Sequence, residues 1–81
     1  NDSVIGDRCV IGAGSVITRS IIWSDTRIGA NAFIDKAVIG SWCNLEADVR
    51  VEEGAIIANR SLIRRGRLVP PQARLAPNSI Q

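Results

Sequence analysis

The side chains that most often carry chemistry are scarce in this chain, and their spacing is informative. Histidine, the usual general base near neutral pH, does not occur among the 81 residues. Two cysteines, Cys9 and Cys43, stand 34 positions apart with no CxxC and no neighbouring His, so neither a zinc site nor a disulfide framework is expected. A thiol nucleophile would need a base within hydrogen-bond reach, and no His is there to supply it. The carboxylates Asp35, Glu46, Asp48, Glu52 and Glu53 form a loose group, read here as solvated surface charge and not as a general acid or base. Arg60, Arg64, Arg65 and Arg67 crowd the C-terminal part and are candidates for holding an anion such as phosphate. They lack interleaved aromatics, which argues against nucleic acid. Trp23 and Trp42 stand where small or polar residues would be expected, and form the candidate contact surface. No catalytic residue, metal ligand or cofactor is assigned.

The elements that must position these side chains follow from a repeat. An aliphatic residue recurs about every six positions: Ile5, Ile11, Ile17, Ile22, Ile28, Ile34, Ile39, Leu45, Val51, Ile57, Ile63, Val69 and Leu75. The steps Ile17 to Ile22 and Ile34 to Ile39 are one residue short, and each falls after three repeats. That regularity predicts triangular coils of three short strands each, with coil lengths of 17, 17 and 18 residues from Ile5, Ile22, Ile39 and Ile57. A helical period of 3.6 does not fit. The expected fold class is all-β, a parallel β-helix of about four triangular coils.

A second inward position is expected four residues after each anchor. It reads Cys9, Ser15, Ile21, Thr26, Ala32, Val38, Cys43, Val49, Ala55, Ser61, Arg67, Ala73 and Ser79. Most are small, as a slim interior requires. Cys9 and Cys43 then lie two coil steps apart, about 9–10 Å. A disulfide needs Cα atoms within about 7 Å, so free structural thiols are expected. Turn formers such as Gly6, Gly12, Gly14, Asp25, Gly29, Asn31, Gly40, Asp48 and Gly54 fill the corners. Trp23 and Trp42 are expected outward on one prism face of adjacent coils, with Phe33 near a different corner.

Residues 1–81 read as one domain, with clear repeats over 4–63 and a degenerate Pro- and Arg-rich capping region over 64–81. Pro70, Pro71 and Pro77 remove ladder donors there. Asn1–Val4 resemble the close of a preceding coil. The apolar content is 46%, with two Trp, one Phe and no Tyr or Met, and the net charge is +2. No membrane-spanning run and no signal-peptide layout appears, so a cytoplasmic location and no membrane partner are expected.

The repeats IGDRCV, IGAGSV, IGANAF and IGSWCN resemble the hexapeptide motif of left-handed parallel β-helices. The handedness is implied by that resemblance alone. Junctions of the form SVI, SIIW and AVI look like those of the C-terminal domains of sugar nucleotidyltransferases, mannose-1-phosphate guanylyltransferase-like proteins in particular. In those enzymes a separate Rossmann-like domain does the chemistry, and no Gly-rich nucleotide loop of that kind occurs here. The resemblance implies a non-catalytic structural or oligomerisation module of a nucleotidyltransferase. It implies a homo-oligomer (a trimer or an end-to-end dimer) or a nucleotidyltransferase catalytic domain as partner. The alternative is a hexapeptide acyltransferase whose base is acidic or supplied by a partner.

Overall fold

The computed structural model describes residues 2–81. Its thirteen strands are very short: β1 Val4–Ile5, β2 Val10–Ile11, β3 Val16–Thr18, β4 Ile21–Ile22, β5 Arg27–Ile28, β6 Phe33–Asp35, β7 Val38–Ile39, β8 Asn44–Leu45, β9 Arg50–Val51, β10 Ile56–Ile57, β11 Leu62–Ile63, β12 Leu68–Val69 and β13 Arg74–Leu75. Successive strands enter three different sheets. The first face is β1-β4-β7-β10-β13, the second is β2-β5-β8-β11 and the third is β3-β6-β9-β12. Every pairing is parallel and in register, so that Ile5, Ile22, Ile39, Ile57 and Leu75 lie in one column. The all-β expectation, with about four coils, holds, and the parallel solenoid is consistent with a left-handed β-helix.

Alternation within each strand sends its first residue outward and the anchor inward. Ile22, Ile28, Ile34, Ile39, Leu45, Val51, Ile57, Ile63 and Val69 are all buried. In the first coil Ile11 and Ile17 are only half-buried and Ile5 is exposed, because no described coil covers them. A solenoid rung gets its burial from its neighbours, so the end rungs have less of it.

Each corner contains one residue with positive φ. At the corner between the first and second faces these are Arg8, Asp25, Trp42, Arg60 and Asn78, with φ between 58° and 64°. The aspartate and asparagine suit this conformation; an arginine or a tryptophan takes it at some strain. Glycine is needed for close approach at Gly12, where a Cβ would come within 2.5 Å of the backbone of the next coil.

Three inward assignments are corrected. Ile21 and Val38 stand first in β4 and β7 and face outward, while Ser20 and Ala37 are the buried residues, 1% and 2% exposed. The reason is local. The outward residue immediately precedes the anchor, so the small inward slot lies two residues before the next anchor. In a six-residue step that equals four after the previous anchor; in the two five-residue steps it equals three. Arg67 obeys the spacing but is exposed. It precedes the last described strand of its column, where no described coil lies over it and a long cationic side chain reaches outward.

The proline-rich stretch keeps the register. β12 and β13 pair with β9 and β10, and Ile80 bridges to Leu62.

Candidate functional site

The small inward residues form hydrogen-bonded ladders up the corners. At the first corner the Cys9 thiol donates to Trp23 O (3.0 Å), Thr26 Oγ1 to Gly40 O (2.6 Å), Cys43 Sγ to Ala58 O (3.2 Å) and Ser61 Oγ to Ala76 O (3.4 Å). Thr26 Oγ1 also accepts from Cys43 N at 3.2 Å, and Ser15 Oγ links Gly29 O and Ala32 N in the same way at another corner. These contacts satisfy carbonyls and amides left free where the chain turns. Sequence reading identified these slots as small but missed their polar role. The recurrence of Cys, Thr, Cys and Ser at one slot was the available signal.

Both cysteines are free, Cys43 buried and Cys9 half-buried. Burial pushes the Cys43 thiol up from its ordinary pKa, the opposite of what a reactive thiolate requires. Most of the grouped carboxylates have cationic or amide partners. Glu46 accepts from Arg65 N at 2.8 Å, Glu52 pairs with Arg50, Glu53 lies 3.8 Å from Lys36 and Asp48 lies 3.6 Å from Arg65. Among the described residues no group of three or more His, Cys, Asp or Glu could hold a metal ion. Among those residues no helix is long and apolar enough to cross a membrane.

The four arginines are not brought together. Arg60 occupies the first corner, whereas Arg64, Arg65 and Arg67 surround the turn from β11 to β12, with Arg65 drawn toward Asp48. The better-formed surface surrounds the tryptophans. Trp23 follows β4 and is 57% exposed; Trp42 occupies the positive-φ position one coil on and is 62% exposed. The two indoles share a corner but front different hollows. Trp23, Val38, Gly40, Ile56, Ala58 and Pro77 line one of about 420 Å³, on the side of the first face. Trp42, Arg60, Asn78 and Pro77 line a second, more polar one of about 410 Å³. Ser41, Asn59 and Pro77 form the ridge between them. These are open depressions, and the residues lining them include no nucleophile-and-base pair.

The sequence that builds these stacked coils matches a known family. The sequence model of the EIF2B subunit epsilon LbH domain covers residues 1–69. The chain belongs to that family. The comparison with curated proteins gives no match. The LbH domain of EIF2B epsilon is a nucleotidyltransferase-like hexapeptide β-helix, so the resemblance read from IGDRCV and SIIW holds at that level. Within that nucleotidyltransferase-like group, the family that the match names is EIF2B epsilon.

Proposed function

We propose that this chain is a non-catalytic assembly module, an EIF2B epsilon-type LbH domain that presents contact surfaces to other protein. The match over residues 1–69 to a domain named for one subunit of an assembly carries this reading. The side chains support it. A chain with no His, a desolvated thiol at Cys43 and carboxylates in ion pairs with Arg50, Arg65 and Lys36 lacks a base poised for acyl transfer. Trp23 and Trp42, exposed at one corner, are the contact residues in this reading.

Isothermal titration of the protein with acetyl-CoA tests it against the acyltransferase alternative. No saturable heat is expected. Saturable, stoichiometric binding would overturn the module reading.

A further inference from the structure

The outward residues of the three faces differ in kind. On the second face they read Val10, Arg27, Asn44 and Leu62, and on the third Val16, Phe33, Arg50 and Leu68. On the first face they read Val4, Ile21, Val38 and Ile56, ending at Arg74. Four aliphatic side chains stand in unbroken succession on that face, Val4, Ile21 and Ile56 exposed and Val38 half-buried, and Trp23 extends the strip sideways into its hollow. Water contact along such a strip is unfavourable.

The charges beside the strip suggest its occupant. At the corner between the third and first faces, successive coils carry Asp2, Arg19, Lys36 and then Gly54 next to Glu53. The order is acidic at one end, basic in the middle and acidic again, and the strip itself closes on basic Arg74. Consider a second copy laid face to face with its axis reversed, related by a two-fold along the strand direction at the level of β7. Val38 then meets Val38, Ile21 meets Ile56 of the second copy and Arg19 comes over Glu53 of the second copy, while Lys36 falls at the axis opposite Lys36, its charge offset by Glu53 of its own chain 3.8 Å away. Arg74 comes over Val4, with Asp2 two residues away. Trp23, at the level of the second coil, lies over the fourth-coil level of the second copy. There the hollow of about 420 Å³ is floored by Gly40 and Ala58. In a parallel arrangement, with the two-fold along the solenoid axis, the strand ends exchange: Arg19 would meet the corner of Trp23 and Asp25, and Arg74 would meet Arg74.

We propose that the first face is a self-docking surface and that two copies pair through it with their solenoid axes antiparallel. This deepens the assembly reading and rests on it. Five strands at about 4.8 Å spacing give a face about 20 Å tall, with on the order of 600–800 Å² buried by both copies together. The dimer is therefore weak and concentration-dependent, with hydrophobic contact supplying attraction and the edge charges setting direction.

Sedimentation equilibrium of the full chain up to millimolar concentration tests both the face and its direction. The wild type is expected to dimerise. Ile21→Glu and Ile56→Lys should each weaken the dimer by at least about tenfold, because a charge is pressed on an aliphatic partner. The double variant Ile21→Glu/Ile56→Lys should restore it, since only the antiparallel pairing sets Glu against Lys. Both positions are outward, so the circular dichroism of each variant should match the wild type; Val10→Lys on the second face controls for added charge. A monomeric wild type, single variants that dimerise normally, or a double variant no better than its parents would each overturn the inference. A monomer that ignores acetyl-CoA would remove only this pairing, whereas saturable acetyl-CoA binding would remove the module reading itself.

Discussion

The first and third faces have the same kind of interior and different exteriors. Inward, Ile22, Ile39 and Ile57 of the first match Ile34, Val51 and Val69 of the third, all at most 2% exposed. Outward, the first presents Val4, Ile21, Val38 and Ile56, whereas the third presents Phe33 beneath the Arg50 guanidinium, 4.3 Å from the ring centroid. Arg50 covers its aromatic neighbour and is held in turn by Glu52. On the third face Phe33 and Arg50 interrupt the aliphatic column and cover each other, leaving Val16 and Leu68 exposed only at its two ends; on the first face the column runs unbroken. Inward positions are dictated by stacking, so they repeat. Outward positions are free of that demand, and there one face of a regular solenoid can become a contact surface while another stays solvated.

The widest separation between inward and outward roles is expected from aspartate substitutions. Ile39→Asp puts a charge into the apolar axis and should cost more than about 4 kcal/mol, abolishing the cooperative melt. Ile21→Asp, one coil earlier and outward, should leave the melt in place. Equal unfolding by both would break the comparison. The order was legible in the sequence because the anchor spacing marks the inward column directly. The sorting of Ile21 and Val38 was not, because counting forward from the previous anchor fails wherever a corner is one residue short. Arg67 was misplaced for another reason: the spacing defines a slot but does not show whether another coil covers it.

A smaller effect isolates the corner ladders, which the alternation of apolar residues does not reveal. Thr26→Val keeps the shape but removes the bond to Gly40 O and leaves the buried Cys43 N without its acceptor. A loss of about 1–3 kcal/mol is expected by chemical denaturation. Ser15→Ala, in a half-buried slot where water can substitute, should cost less. The reverse order would contradict a burial-dependent role for the hydroxyls. The candidate site was legible only as residue types: Trp23 and Trp42 stood out by size. That they front separate hollows, and that Arg60 stands apart from Arg64, Arg65 and Arg67, depends on the corner each coil assigns them.

The smallest effect belongs to the surface. The Arg8 guanidinium donates to Asp25 at 2.7 Å and holds the carboxyl below the usual carboxylate range. A carboxyl whose folded pKa is depressed contributes stability above its unfolded pKa and loses it as pH falls through the folded one. Asp25→Asn should therefore flatten slightly the acid limb of the stability profile and change nothing at neutral pH beyond a small offset, since the pair is open to solvent. A large change at neutral pH would mean that this corner carries more of the fold than the buried columns do.

The central claim is that the first face and its tryptophan corner carry contact, while the third face does not. Sedimentation equilibrium on the wild type, on Trp23→Ala/Trp42→Ala and on Phe33→Ala tests it most directly. Concentration-dependent self-association is expected in the wild type, a shift to smaller species in the double variant and little change in Phe33→Ala. An unchanged mass distribution in the double variant, or a loss of association on Phe33→Ala instead, would contradict it.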